Sequence, residues 1–180
     1  MGILLALAEF ESQFRVVHDS IFASVGTEGV FFRNPAWKVV LLPYGIRMSP
    51  DDFGAISKTA QHLGDNQFIV LDIESVSPPP KAAIVSWDYD DLRRERVQHG
   101  TNFSLLDTHL FGCSGRWGAV SSCSLDDILI LGGDEQFMSL FIPSAGGMEA
   151  LRLRFLEFAT DFWRPSAGNS EKVVELAGWN

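Results

Sequence analysis

Four carboxylates have the spacing that oxygen-ligand chemistry needs. Asp72 and Glu74 stand two apart at the end of an apolar run, and Asp88 and Asp90 repeat that spacing after the next run. Residues two apart on an extended chain face the same way, so each pair can aim both carboxylates at one point. At neighbouring strand ends the four would offer an all-oxygen site for Mg²⁺ or Ca²⁺, which suits a metal-dependent hydrolase. The plainer reading is that acids end strands and open loops.

The remaining reactive residues carry weaker signals. His18, His62, His99 and His109 stand in no HExxH or similar ligand spacing. His62 falls near the end of an expected helix, where a cation is favoured, and a structural role fits it better than a catalytic one. No GxSxG elbow, GxxxxGK[ST] loop or GxGxxG turn occurs. A Cys113–His109 nucleophile pair lies within one local segment and has no third group to orient the base. The run Leu131, Gly132, Gly133, Asp134 ahead of a helix is a poor anion site, because Asp134 and Glu135 would repel the anion. Asp134 reads instead as the N-cap. Arg93, Arg94 and Arg96 are bracketed by Asp90, Asp91 and Glu95 and neutralise one another.

The charge balance narrows the partners. The 180-residue chain carries a net charge of −9. That argues against nucleic acid, which needs a basic face, and favours a protein partner with a basic surface. The bland alternative is that acidity serves solubility. Cys113 and Cys123, if both lie on one extended run, would stand about 33 Å apart, too far to bond, although a break near Gly115 would shorten that. They read as free thiols of a reducing cytoplasm. No apolar run approaches a membrane span, and the first residues lack the basic start of a signal peptide. These features give a soluble, cytoplasmic protein with no membrane association and no cofactor.

Patterning supplies the elements that would position such residues. Ile3, Leu7, Phe10, Phe14, Val17 and Ile21 are spaced 4, 3, 4, 3, 4, one apolar stripe along a single helix. It would dock on its own domain or, alternatively, on a second copy to make a homodimeric scaffold. Residues 37–42 read as a strand. Ser49, Pro50, Asp51 and Asp52 form a helix start, with a capping hydroxyl, a proline at the first position and acids on the dipole. Gly64 closes that helix, and residues 67–73 are a strand covered on both faces. Strand, helix, strand suggests a βαβ unit, with a hairpin-like arrangement left open. Residues 77–80 form a stiff linker, residues 81–88 a strand, and residues 103–106 a brief one. Residues 111–142 then read as strand, turn, strand, a break at Gly132 and Gly133, and a short helix. Met148, Leu151, Phe155, Phe158, Ala159 and Phe162 line a final helix.

Within that stretch Trp117, Gly118, Ser121, Gly132, Gly133 and Phe137 resemble a loose pattern in small bacterial proteins. Some members of such groups resemble immunity proteins, which neutralise a toxin by binding it. The resemblance spans about 30 residues and carries over no functional residue. It implies a non-catalytic, acidic, cytoplasmic protein-binding module.

The expected fold is α+β: a mixed β-sheet of about five strands with N-terminal and C-terminal helices packed against it. Residues 1–164 form one domain and residues 165–180 a loosely ordered tail. The leading expectation is an acidic, non-catalytic binder whose contact rim is Asp126, Asp127, Asp134 and Glu135. The alternatives are the hydrolase built on Asp72, Glu74, Asp88 and Asp90, and the homodimer.

Overall fold

The computed structural model describes residues 3–23, 31–73, 82–90, 92, 108–121 and 128–161. Among these, seven strands and five α-helices follow in the order β1 (Ile3–Leu5), α1 (Leu7–Gln13), α2 (Arg15–Ile21), β2 (Lys38–Leu42), α3 (Pro50–His62), β3 (Gln67–Asp72), β4 (Ala82–Ser86), β5 (Thr108–Gly112), β6 (Trp117–Ser121), β7 (Leu129–Gly133), α4 (Glu135–Ser144) and α5 (Met148–Asp161). The fold is α+β, as the sequence implies, but the sheet is larger than expected and antiparallel throughout. Its order is β1-β4-β3-β5-β6-β7-β2.

The pairing explains why the βαβ reading misleads. β2 and β3 do run in the same direction, and α3 does join them. They are not neighbours, however, because β5, β6 and β7 lie between them. Near-continuous apolar strands suggest a parallel sheet only because such sheets are covered on both faces. Here an antiparallel sheet is covered on both faces as well. Phe68 and Val70 of β3 join Val40, Leu42, Trp117, Leu129 and Leu131 in a core closed by α3 and α4. Ile69 and Leu71 alternate to the other face, with Leu41, Phe111, Val120 and Ile130, under α1, α2 and the end of α5.

The N-terminal stripe is two helices and a strand rather than one helix. Glu9 reaches back to the Ala6 backbone N–H at 3.0 Å and fixes the start of α1. Phe14 (φ −122°) breaks α1 from α2. Residues Ile3–Leu5 pair with β4 and cover an edge that would otherwise be open. Phe10, Phe14 and Ile21 are buried against the sheet, so the stripe is occupied within its own domain, whereas Ile3 is 65% exposed.

Gly132 and Gly133 do not break a strand; both belong to β7. Gly132 pairs across the sheet with Gly118. A Cβ at Gly132 would lie 2.5 Å from the Phe32 ring, and one at Gly118 would lie 2.8 Å from Phe22. The two glycines form a trough in the sheet where the Phe22 and Phe32 rings settle, centroids 5.9 Å apart. Each buried ring contributes about 1.5–3 kcal/mol of apolar burial.

Helix ends follow the sequence closely. Ser49 caps α3 by accepting from Asp52 N at 3.1 Å, and Pro50 is its first residue. Asp134 caps α4 through Phe137 N at 2.8 Å. Leu151, Phe155 and Phe158 of α5 are buried, as their spacing requires. The expectations for residues 77–80, 103–106 and 165–180, for Cys123, for His99 and for the arginine cluster lie outside the described residues.

Candidate functional site

Strand direction decides which sequence-selected residues meet. β3 and β4 are antiparallel, with Gln67 opposite Ser86 and Leu71 opposite Ala82. Asp72 therefore sits at one end of the pair, while Asp88 and Asp90 follow the other. By that register Asp72 and Asp88 are about seven residues apart along the sheet, or ~23 Å at roughly 3.3 Å each. Ligands of one ion converge to about 2.3–2.6 Å from it, so Asp72 cannot share an ion with Asp88 and Asp90. Asp72 is buried. Asp88 Oδ1 accepts from Asp90 N at 2.8 Å in a local turn. Glu74 lies outside the described residues, among which no three His, Cys, Asp or Glu side chains are grouped to hold a metal.

Of the expected acidic rim, only Asp134 and Glu135 fall within the described residues. Asp126 and Asp127 lie outside the described residues, and their flanks Ser121 and Ile128 are at the opposite end of β7 from Asp134. Asp134 is half-buried and engaged twice, through its helix cap and through Arg116 Nη1 at 2.9 Å. Glu135 is exposed in the first turn of α4. Asp88, Asp90, Asp134 and Glu135 therefore share one end of the sheet, and the β5–β6 turn lies between them.

A residue the sequence reading passed over holds that end together. α3 closes in a Schellman turn: Gly64 takes φ +96°, its N–H binds Gln61 O at 3.0 Å, and Asp65 N binds Ala60 O at 3.0 Å. The turn drives the Asp65 side chain, 3% exposed, under the β5–β6 hairpin. Its Oδ1 accepts from Ser114 N at 2.7 Å; its Oδ2 accepts from Ser114 Oγ at 2.7 Å and from Trp117 Nε1 at 2.9 Å. Its backbone carbonyl accepts from Trp87 Nε1 at 2.6 Å. A side chain at Gly112 would collide with this carboxylate. The available signal is indirect: a buried indole, Trp117, and a partly buried one, Trp87, each need an acceptor.

The nucleophile reading gains no support from the geometry. Cys113 is exposed, yet partial desolvation sets its thiol above the usual range, and the Asp65 carboxylate pushes it further the same way. His109 turns to His18 instead, Nδ1 to Nε2 at 2.9 Å, while His18 Nδ1 meets Asp19 Oδ1 at 2.9 Å. Burial holds His109 down at about 3, with His18 as a lesser cause. It is therefore a poor base at neutral pH. The pairing of residues 91 positions apart has no local sequence signal.

The cavity bounded by Met48, Phe53, Trp87, Trp117 and Leu129 is apolar and about 10 Å³ in volume, room for one water-sized sphere rather than a substrate. Among the described residues no helix is long and apolar enough to cross a membrane. No family model, curated protein or solved structure matches the chain.

Proposed function

We propose that this protein is a non-catalytic binding module of the immunity type, which engages a protein partner of basic surface through the acidic end of its sheet. The contact residues are Asp88, Asp90 and Glu135, with Asp134 between them and Arg116. The observation that carries the reading is the way Asp65 locks the β5–β6 turn between these acids. A rim held by a buried, fully hydrogen-bonded carboxylate loses little freedom on binding. The net charge of −9 supports the same sign of partner.

The polar groups that chemistry would need are engaged inside the fold. Asp65 holds the turn, Asp52 pairs with Arg154 at 2.9 Å, and His109 is held neutral by its surroundings. Such an arrangement fits a rigid binder better than a hydrolase. The test is capture from the native organism on immobilised wild-type protein and on an Asp88→Asn, Asp90→Asn, Glu135→Gln variant. A basic protein retained by the first and lost by the second supports the proposal. Equal retention, or no retained protein, contradicts it.

A further inference from the structure

We propose that Asp19, His18 and His109 form an acid-sensitive latch that holds the N-terminal helix pair on the sheet, independently of the acidic rim. The side chains make one chain of contacts from solvent to the sheet face. Asp19 is exposed, His18 is half-buried, and His109 is buried in central strand β5. Phe22 stacks on His109 at 3.8 Å with an interplanar angle of 15°, and Phe10 and Phe111 meet the His18 ring edge-on.

The network assigns the protons. Asp19 accepts from His18 Nδ1–H, so His18 Nε2 is an acceptor and His109 donates from Nδ1. A first added proton can be accommodated. His18 then donates at both nitrogens, and the His109 proton moves to Nε2. A second proton cannot, because two N–H donors would face each other across 2.9 Å in an aromatic pocket.

Among the described residues, the surroundings offer little to offset that second charge. From α1 and α2 the charged groups facing the pair are Asp19, Glu11 and Arg15, and Glu11 is already bonded to Arg15 at 2.9 Å. From the sheet, the cross-strand neighbours of His109 are Leu71 and Val120. Asp72, next along β3, belongs to the opposite face. Phe22 and Phe32, from the segment after α2, bring only rings.

The direction of the pH effect follows from proton counting. Lifting α2 returns both imidazoles to water, where they titrate near the ordinary value of about 6.5. The open form then binds more protons than the closed one, so acid favours opening. Above about pH 7 the latch is closed and insensitive to pH. Below about 6.5 the opening constant rises roughly tenfold per pH unit for each net proton taken up. Opening uncovers Phe10, Phe14 and Ile21 together with the glycine trough beneath Phe22.

Hydrogen exchange of the full chain between pH 7.5 and 5 tests this. Protection factors of the α2 amides, corrected for intrinsic rates, should fall about tenfold per unit below pH 6.5, while those of β6 and β7 hold. In His109→Gln, which keeps hydrogen-bonding capacity without a titrating ring, the α2 protection should be flat. If that variant does not fold, His109→Asn serves in its place with the same expectation. A flat profile in wild type, an unchanged slope in the variant, or a parallel fall in β6 and β7 would each overturn the latch.

Discussion

The Trp117 indole donates to the Asp65 carboxylate across 2.9 Å, joining a strand to a helix end 52 residues away. Trp117 in turn stacks on Phe137 of α4, with centroids 5.7 Å apart. One contact thus ties α3, the β5–β6 hairpin and α4 at the end of the sheet where the exposed acids stand. In Asp65→Asn one oxygen becomes an NH₂. Ser114 Oγ can rotate to accept from it, but the Trp117 N–H cannot. A buried donor left unpaired costs about 1–3 kcal/mol. Denaturant unfolding should show a loss of that size with an unchanged slope; a loss under about 0.5 kcal/mol would place the stability of this end elsewhere.

The glycine trough makes a second prediction. Gly132→Ala drives a methyl into the Phe32 ring, and overpacking of this kind costs about 1–3 kcal/mol. Combined with Phe32→Leu, the loss should be smaller than the sum of the two single changes, because the second makes room for the first. Additive losses in thermal unfolding would mean that the ring yields freely.

Asp52 and Arg154 join the start of α3 to α5 at 2.9 Å, with Asp52 2% exposed and the arginine 38% exposed. Arg154→Met leaves a buried carboxylate supported by Ser49 and the helix N-terminus alone. The open side of the pair lets water screen it, so the expected cost is about 1–2 kcal/mol, below that of a fully enclosed pair. Asp52→Asn, which keeps a side-chain carbonyl to accept hydrogen bonds and buries no charge, should cost less. The reverse ranking in denaturant midpoints would contradict this account.

Cys113 gives a pH prediction with a definite sign. Its thiol is raised above the usual value, first by partial desolvation and then by Asp65, so the thiolate is scarce at neutral pH. In a Cys123→Ser background, alkylation by iodoacetamide should be slow at pH 7 and climb about tenfold per pH unit until past pH 9. An inflection below pH 8 would mark an activated thiolate and revive the nucleophile reading.

Local signals were the legible part of this chain. Ser49, Pro50 and Gly64 mark the ends of α3 because capping is written in three or four adjacent residues, and Asp134 marks α4 for the same reason. The apolar face of α5 is likewise set by residues on one helix. What spacing does not reveal is partnership. Ile3 continues a helical period, yet it serves as a strand because the β4 edge needs a neighbour. Gly132 and Gly133 look like a break because nothing local announces the rings of Phe32 and Phe137 above them. Asp72 and Asp88 look convergent only until the antiparallel pairing of β3 and β4 sends them to opposite ends. Asp65 carries no motif, and its role depends on a hairpin about 50 residues further on.

The acidic rim is the central claim, and one binding measurement addresses it most directly. Once a basic partner has been captured, its Kd should be measured against wild-type protein and against the Asp88→Asn, Asp90→Asn, Glu135→Gln variant at two salt concentrations. Exposed charge pairs contribute about 0.2–1 kcal/mol each. Affinity should therefore fall about tenfold in the variant at low salt, with much of that difference lost as salt rises. An unchanged Kd, or a difference indifferent to salt, would contradict the proposal that this end of the sheet is the binding surface.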